Sequence, residues 1–176
     1  MKYVSYLFSL LGLLGLCSCV YEIPLVEKAT KPIDSSLAGA WQKIPAAGEK
    51  ESDWTETLLL VPFSKTEYIA VCTPSRDEAA ICLPGTDKIL FRAYPIEIAD
   101  LSLIQIEWLQ LYSKNGTRFQ VCRCKIRDGI LTVETLNREV VDPGITDADL
   151  LHETVLENVK NPDLFSNPVQ YRRLEQ

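Results

Sequence analysis

The chain has 176 residues, 47% of them hydrophobic and 24% charged, enough for one domain with a buried core. Its formal net charge is −6 with no long basic run, which argues against nucleic acid as a partner and against an electrostatic hold on anionic lipid. There is one histidine, and G-x-S-x-G, phosphate-cradling glycine loops and H-E-x-x-H are all missing, so catalysis has no signature and neither cofactor nor metal is expected.

Met1-Lys2 precede an apolar segment from Tyr3 to Leu16, which Cys17-Ser18-Cys19 follow. A membrane span needs about 20 apolar residues, so this segment is too short to cross and has the layout of an export signal. Leu16-Cys17-Ser18-Cys19 resembles the lipobox of bacterial lipoproteins, with Cys19 as acceptor. Cys17 as acceptor would put Leu16 where the peptidase takes a small side chain. The resemblance implies a signal peptide over 1–18, a diacylglyceryl thioether on Cys19, further acylation with chains such as palmitate, and a place in the bacterial cell envelope. Val20, not Asp, follows Cys19, which in that family implies the outer membrane. An ordinary cleaved secretory peptide is the alternative. Loss of Lys2 with the signal takes the net charge from −6 to −7, so the lipid is expected to be the whole anchor.

Residues 20–36, "VYEIPLVEKATKPIDSS", carry two prolines and mixed charge without a sustained period. Residues 19–36 are therefore expected to be a lipidated tether, with the domain spanning 37–176.

From "LAGAWQKIP" (37–45) onward, short apolar runs alternate with turn residues, which predicts an all-β fold. The runs are 56–63, 67–73, 79–84, 88–98, 101–112, 117–127 and 130–136. Asn115-Gly116 and Asp128-Gly129 are hairpin turns because both positions tolerate positive φ, so 101–136 should be a three-stranded meander. Ile104, Ile106 and Trp108 share one face of their strand. Cys122, Cys124 and Ile126 share a face of the next, opposite Arg123, Lys125 and Arg127. Phe119 and Val121 fall out of phase, which predicts a bulge or edge near 121. The basic row is expected to be a solvated face with Glu107 and Glu134 as neighbours rather than a site for an acidic partner.

After Pro143-Gly144 the period becomes helical over 146–160, with Leu150, Leu151, Val155, Leu156 and Val159 on one stripe and His152 on the helix surface. The tail should pack back through Leu164, Phe165, Val169 and Tyr171.

Besides Cys19, the exported part holds Cys72, Cys82, Cys122 and Cys124, an even number that favours disulfides. Cys122 and Cys124 face one way and are poorly placed to bond each other. A Cys72–Cys82 bridge across a hairpin, or two bridges from that region to the Cys122/Cys124 strand, are the candidates. A C-x-C pair on a strand is not the usual zinc knuckle.

Gly39-Ala40-Trp41, at the start of the first strand, resembles the G-x-W motif of lipocalins and other calycin barrels. The resemblance implies a mainly β fold, a single antiparallel up-and-down barrel with a C-terminal helix. It also implies that Trp41 closes one barrel end and that a late arginine, Arg172 or Arg173, packs on its indole as a cation–π pair. An eight-stranded barrel has room for its own side chains or for one small ligand. The expected function is a non-enzymatic, membrane-anchored envelope lipoprotein that binds a small apolar ligand or lipid. The alternative is a structural or protein-interaction module of the envelope with a filled barrel.

Overall fold

Eight strands close into one antiparallel barrel, each pairing with the next along the chain and the last with the first. The computed structural model describes residues 20–46, 55–73, 88–109 and 118–174. The strands are β1 (Gly39–Lys43), β2 (Thr57–Pro62), β3 (Tyr68–Thr73), β4 (Ile89–Ile98), β5 (Leu101–Trp108), β6 (Phe119–Arg127), β7 (Ile130–Leu136) and β8 (Phe165–Arg173). A helix, α1 (Ala148–Glu157), and a 3₁₀ turn (Pro162–Leu164) lie between β7 and β8. The helix is capped by Asp147, whose carboxylate accepts from Leu150 N at 2.9 Å.

The tail does more than pack back: as β8 it closes the barrel. Asn167, at φ +54°, and Pro168 fall where the β7–β8 register shifts between Val133 and Thr135. A bulge there takes in a proline that a regular ladder would not accept. The β5–β6–β7 meander runs as the alternation implies, and positive φ at Asp128 (53°) and Gly129 (77°) makes its last turn. Asn115-Gly116 and the 79–84 run lie outside the described residues.

Apolar side chains pack on both sides of the barrel wall. Inside, Trp41, Tyr68, Ala93, Leu131 and Tyr171 form one cluster, joined by Ile104 and Ile106. Outside β4–β7, Tyr94, Ile96, Leu103, Val121 and Leu136 form a second, covered by Leu151 and Val155 of α1 and by Tyr21 and Leu25. Covering both faces accounts for the out-of-phase residues of β6. Val121 is 1% exposed on the outer face, β6 keeps its register with both neighbours, and no bulge forms near 121.

Residues 20–36, expected to be a tether, form a strap along the barrel wall. Tyr21 exchanges two backbone hydrogen bonds with Phe119, at 2.7 and 2.8 Å, and its hydroxyl donates to Val141 O at 3.1 Å. Further along, the Gln105 side-chain amide bonds Val26 twice, accepting from its N and donating to its O, both at 2.9 Å. Tyr94 OH also donates to Val26 O at 2.9 Å. At the other end of the barrel Ile33 N donates to Lys65 O at 3.0 Å. The folded unit therefore begins well before residue 37.

Part of the basic row is paired along the sheet. Arg123 binds Glu134 through two bonds, at 2.7 and 2.9 Å, and holds that carboxyl below its usual pKa. Glu107 is taken by Arg92 instead, at 3.0 Å. Of the candidate bridges to the Cys122/Cys124 strand, those from Cys72 do not form. Cys72 is on β3 and Cys122 and Cys124 on β6, with β4 and β5 between them, and no disulfide joins these three to one another. A bridge needs α-carbons within about 7 Å, which non-neighbouring strands do not provide. Cys82 lies outside the described residues.

Candidate functional site

The barrel interior has two unlike ends. At the end where β1 begins, Trp41 is 1% exposed, and its Nε1 donates to Leu37 O at 2.9 Å. The Arg173 guanidinium lies over the indole with its carbon 4.6 Å from the ring centroid, and it also donates to Ser36 O. Gly39 makes this stacking possible. Its φ is +130°, and a Cβ there would stand 3.2 Å from Arg173 Nη1. Arg172, one residue away, faces the other side of the strand and binds Gln42 Oε1 at 2.9 and 3.1 Å.

Near this end a cavity of about 260 Å³ is lined by Asp34, Leu37, Ser102, Ile104, Cys124 and Ile126, among others. Burial pushes the Cys124 thiol up to about 12. Burial likewise pushes the Tyr68 hydroxyl, which donates to Asp34 O at 2.6 Å, up to about 12. Both stay neutral near pH 7, so neither offers a ready nucleophile.

The opposite end, where β1 finishes, is lined by polar groups. The register shows how they converge. Gln120 faces Ile106 across β5–β6, Trp108 follows Ile106 on the same face, and Thr135 faces Cys122, the next inward residue of β6. Gln120 is 6% exposed and Thr135 4%. Gln120 Nε2, Thr135 Oγ1 and Trp108 Nε1 are all buried without a hydrogen-bond partner among the described residues. On the other side of the lumen, Glu56 is 3% exposed, accepts from Tyr171 OH at 2.5 Å and lies 3.5 Å from Lys43 Nζ. Burial, then the charge of Glu56, raises Tyr171 well above the ordinary phenol range, so it remains a neutral donor. The thiols of Cys72 and Cys122 are close enough to act on it as well.

Buried polar groups are nearly always paired, and an orphan costs about 1–3 kcal/mol. Among the described residues, three unpartnered donors thus face one lumen from adjacent strands. Glu56 is held by a cation and a phenol, so it is not a lone carboxylate poised for acid–base work. His152 sits on α1, outside the barrel.

Of the residues that the sequence singles out, Trp41 and Arg173 come together, Arg172 stands apart, and Cys19 and Cys82 lie outside the described residues. Cys72, Cys122 and Cys124 face the lumen, and among the described residues no group of three or more His, Cys, Asp and Glu side chains could hold a metal ion. Sequence reasoning did not single out Glu56, Gln120, Thr135 and Tyr171 as site residues. A signal existed for Gln120 and Thr135, which share strand faces with Cys122 and Val133 and are therefore polar residues in inward phase. No protein-family model, no curated protein and no solved structure matches the chain.

Proposed function

We propose that this is a non-catalytic, lipid-anchored envelope protein whose barrel takes one small amphipathic molecule at its polar end. The observation that carries the reading is the trio of buried, unpartnered donors at Trp108 Nε1, Gln120 Nε2 and Thr135 Oγ1. Of the expected guests, a small apolar ligand or a lipid, a purely apolar one would leave those groups orphaned. A molecule with acceptor oxygens and an apolar body fits better, because Ile106 and the ring of Trp108 lie beside the donors. The anchoring half of the proposal rests on the lipobox resemblance at Leu16–Cys19.

The test is native mass spectrometry of the protein incubated with lipid extract from its own membrane. One discrete adduct per chain is expected, lost in a Gln120→Leu/Thr135→Val double variant that keeps its β circular dichroism. A folded wild-type protein that takes up nothing would overturn the reading.

A second reading, a protein-docking module, is favoured by the outer wall of β2–β4. There Leu59, Val61 and Leu90 are 41%, 44% and 37% exposed and adjoin Ile69 and Val71 in register. Capture of the same partner by wild type and by the double variant would support it.

A further inference from the structure

The strap runs along the wall from one end of the barrel to the other. Tyr21 is bonded to Phe119 at the first residue of β6, the end that Gln120, Trp108 and Thr135 line. From there the strap runs past Gln105 in the middle of β5 to Lys65 in the β2–β3 turn, and then enters β1. It spans the wall from end to end, and its first described residues leave at the polar end. Tyr21 is 1% exposed, and three hydrogen bonds hold it in place.

Cys19 stands two residues before Tyr21. Two residues reach at most about 7 Å between α-carbons. The Trp41 end lies farther off by the height of the barrel, about 20 Å for tilted strands of this length. From this geometry, and resting on the proposed acylation of Cys19, we infer that the barrel is held with its polar end against the bilayer that carries its anchor. The partner of this rim is a lipid surface.

The composition of the rim agrees with that placement. Leu109 is 43% exposed just past β5 and donates its N–H to Leu90 O, so two exposed leucines stand side by side near this end. Around them, among the described residues, Glu22, Lys88, Arg138 and Glu139 mix both signs.

The experiment is hydrogen exchange on the full acylated protein in phosphatidylcholine vesicles, compared with the same chain starting at Val20 in solution. Slower exchange on vesicles is expected at 88–90, 109, 118–119 and 137–140, with no change in the turns at 63–67 and 128–129. Protection of those turns instead, or of neither end, overturns the orientation, provided that intact mass shows an acylated Cys19. If the mass shows no acyl group, the anchoring reading fails and the orientation fails with it. A flexible spacer of about twelve Gly/Ser residues between Cys19 and Val20, reaching roughly 20 Å, should abolish the protection without releasing the protein. Protection that survives the spacer would overturn the role given to the strap.

Discussion

At the scale of single residues, the Trp41 end depends on three side-chain choices. Gly39 gives up a Cβ, Trp41 fills the lumen and Arg173 covers it. Trp41→Ala should lower stability by about 3–5 kcal/mol in urea unfolding, the range for a buried aromatic cut back to alanine. Arg173→Ala should cost only about 0.5–1 kcal/mol, since the cation is exposed. A loss below half a kcal/mol for Trp41→Ala would contradict its place in the core. The Gly-x-Trp spacing was legible in the sequence, but the choice between Arg172 and Arg173 was not. That choice depends on the register of β8 against β1, which sets Trp41 opposite Arg173 and Gln42 opposite Arg172.

At the scale of elements, the meander and α1 announced themselves, because period 2 and period 3.6 both stand out when one face is wet. The strap and β8 did not. Tyr21 and Leu25 have no periodic company, and their need for cover is visible only from the wall, where Leu103 and Val121 turn apolar side chains outward. In β8, Asn167 and Pro168 interrupt the alternation at the bulge. The strap's hold on β5 comes down to one amide. Gln105 is fully buried and supplies both bonds to Val26. Gln105→Leu would leave Val26 N without its acceptor and Val26 O with the Tyr94 hydroxyl as its remaining donor, so stability should fall by about 1–3 kcal/mol. Amide exchange at residues 21–29 should accelerate more than in the meander, a pattern that a uniformly weakened barrel would not give.

At the scale of the whole molecule, several buried acids share one direction of shift. Burial raises Cys124 from 9.0 to about 12 and Tyr68 from 10.0 to about 12, and also raises Tyr94 and Tyr171. An acid whose folded pKa is raised leaves stability intact below its unfolded value. Above that value the unfolded chain releases protons that the native state keeps, so stability falls as pH rises. The urea midpoint should therefore be flat from pH 7 to 8.5 and decline from about pH 9 toward 12, the window set by Cys124 and Tyr68. Cys124→Ala should move the onset of the decline toward pH 10, where the tyrosines take over. A midpoint unchanged up to pH 11 would contradict the burial of these groups.

The same scale separates what serves the fold from what serves a ligand. The apolar lumen around Trp41 stabilises the barrel, whereas the polar end carries Trp108 Nε1, Gln120 Nε2 and Thr135 Oγ1, which lack hydrogen-bond partners among the described residues. Its reading as a binding site depends most directly on Gln120, and the decisive measurement is the unfolding free energy of ligand-free Gln120→Met, a substitution that keeps shape and removes the amide. If the amide awaits a ligand, the variant should be more stable than wild type by about 1–2 kcal/mol, because an orphaned buried donor disappears. A loss of similar size would show that Gln120 holds the fold together, and would contradict the binding site.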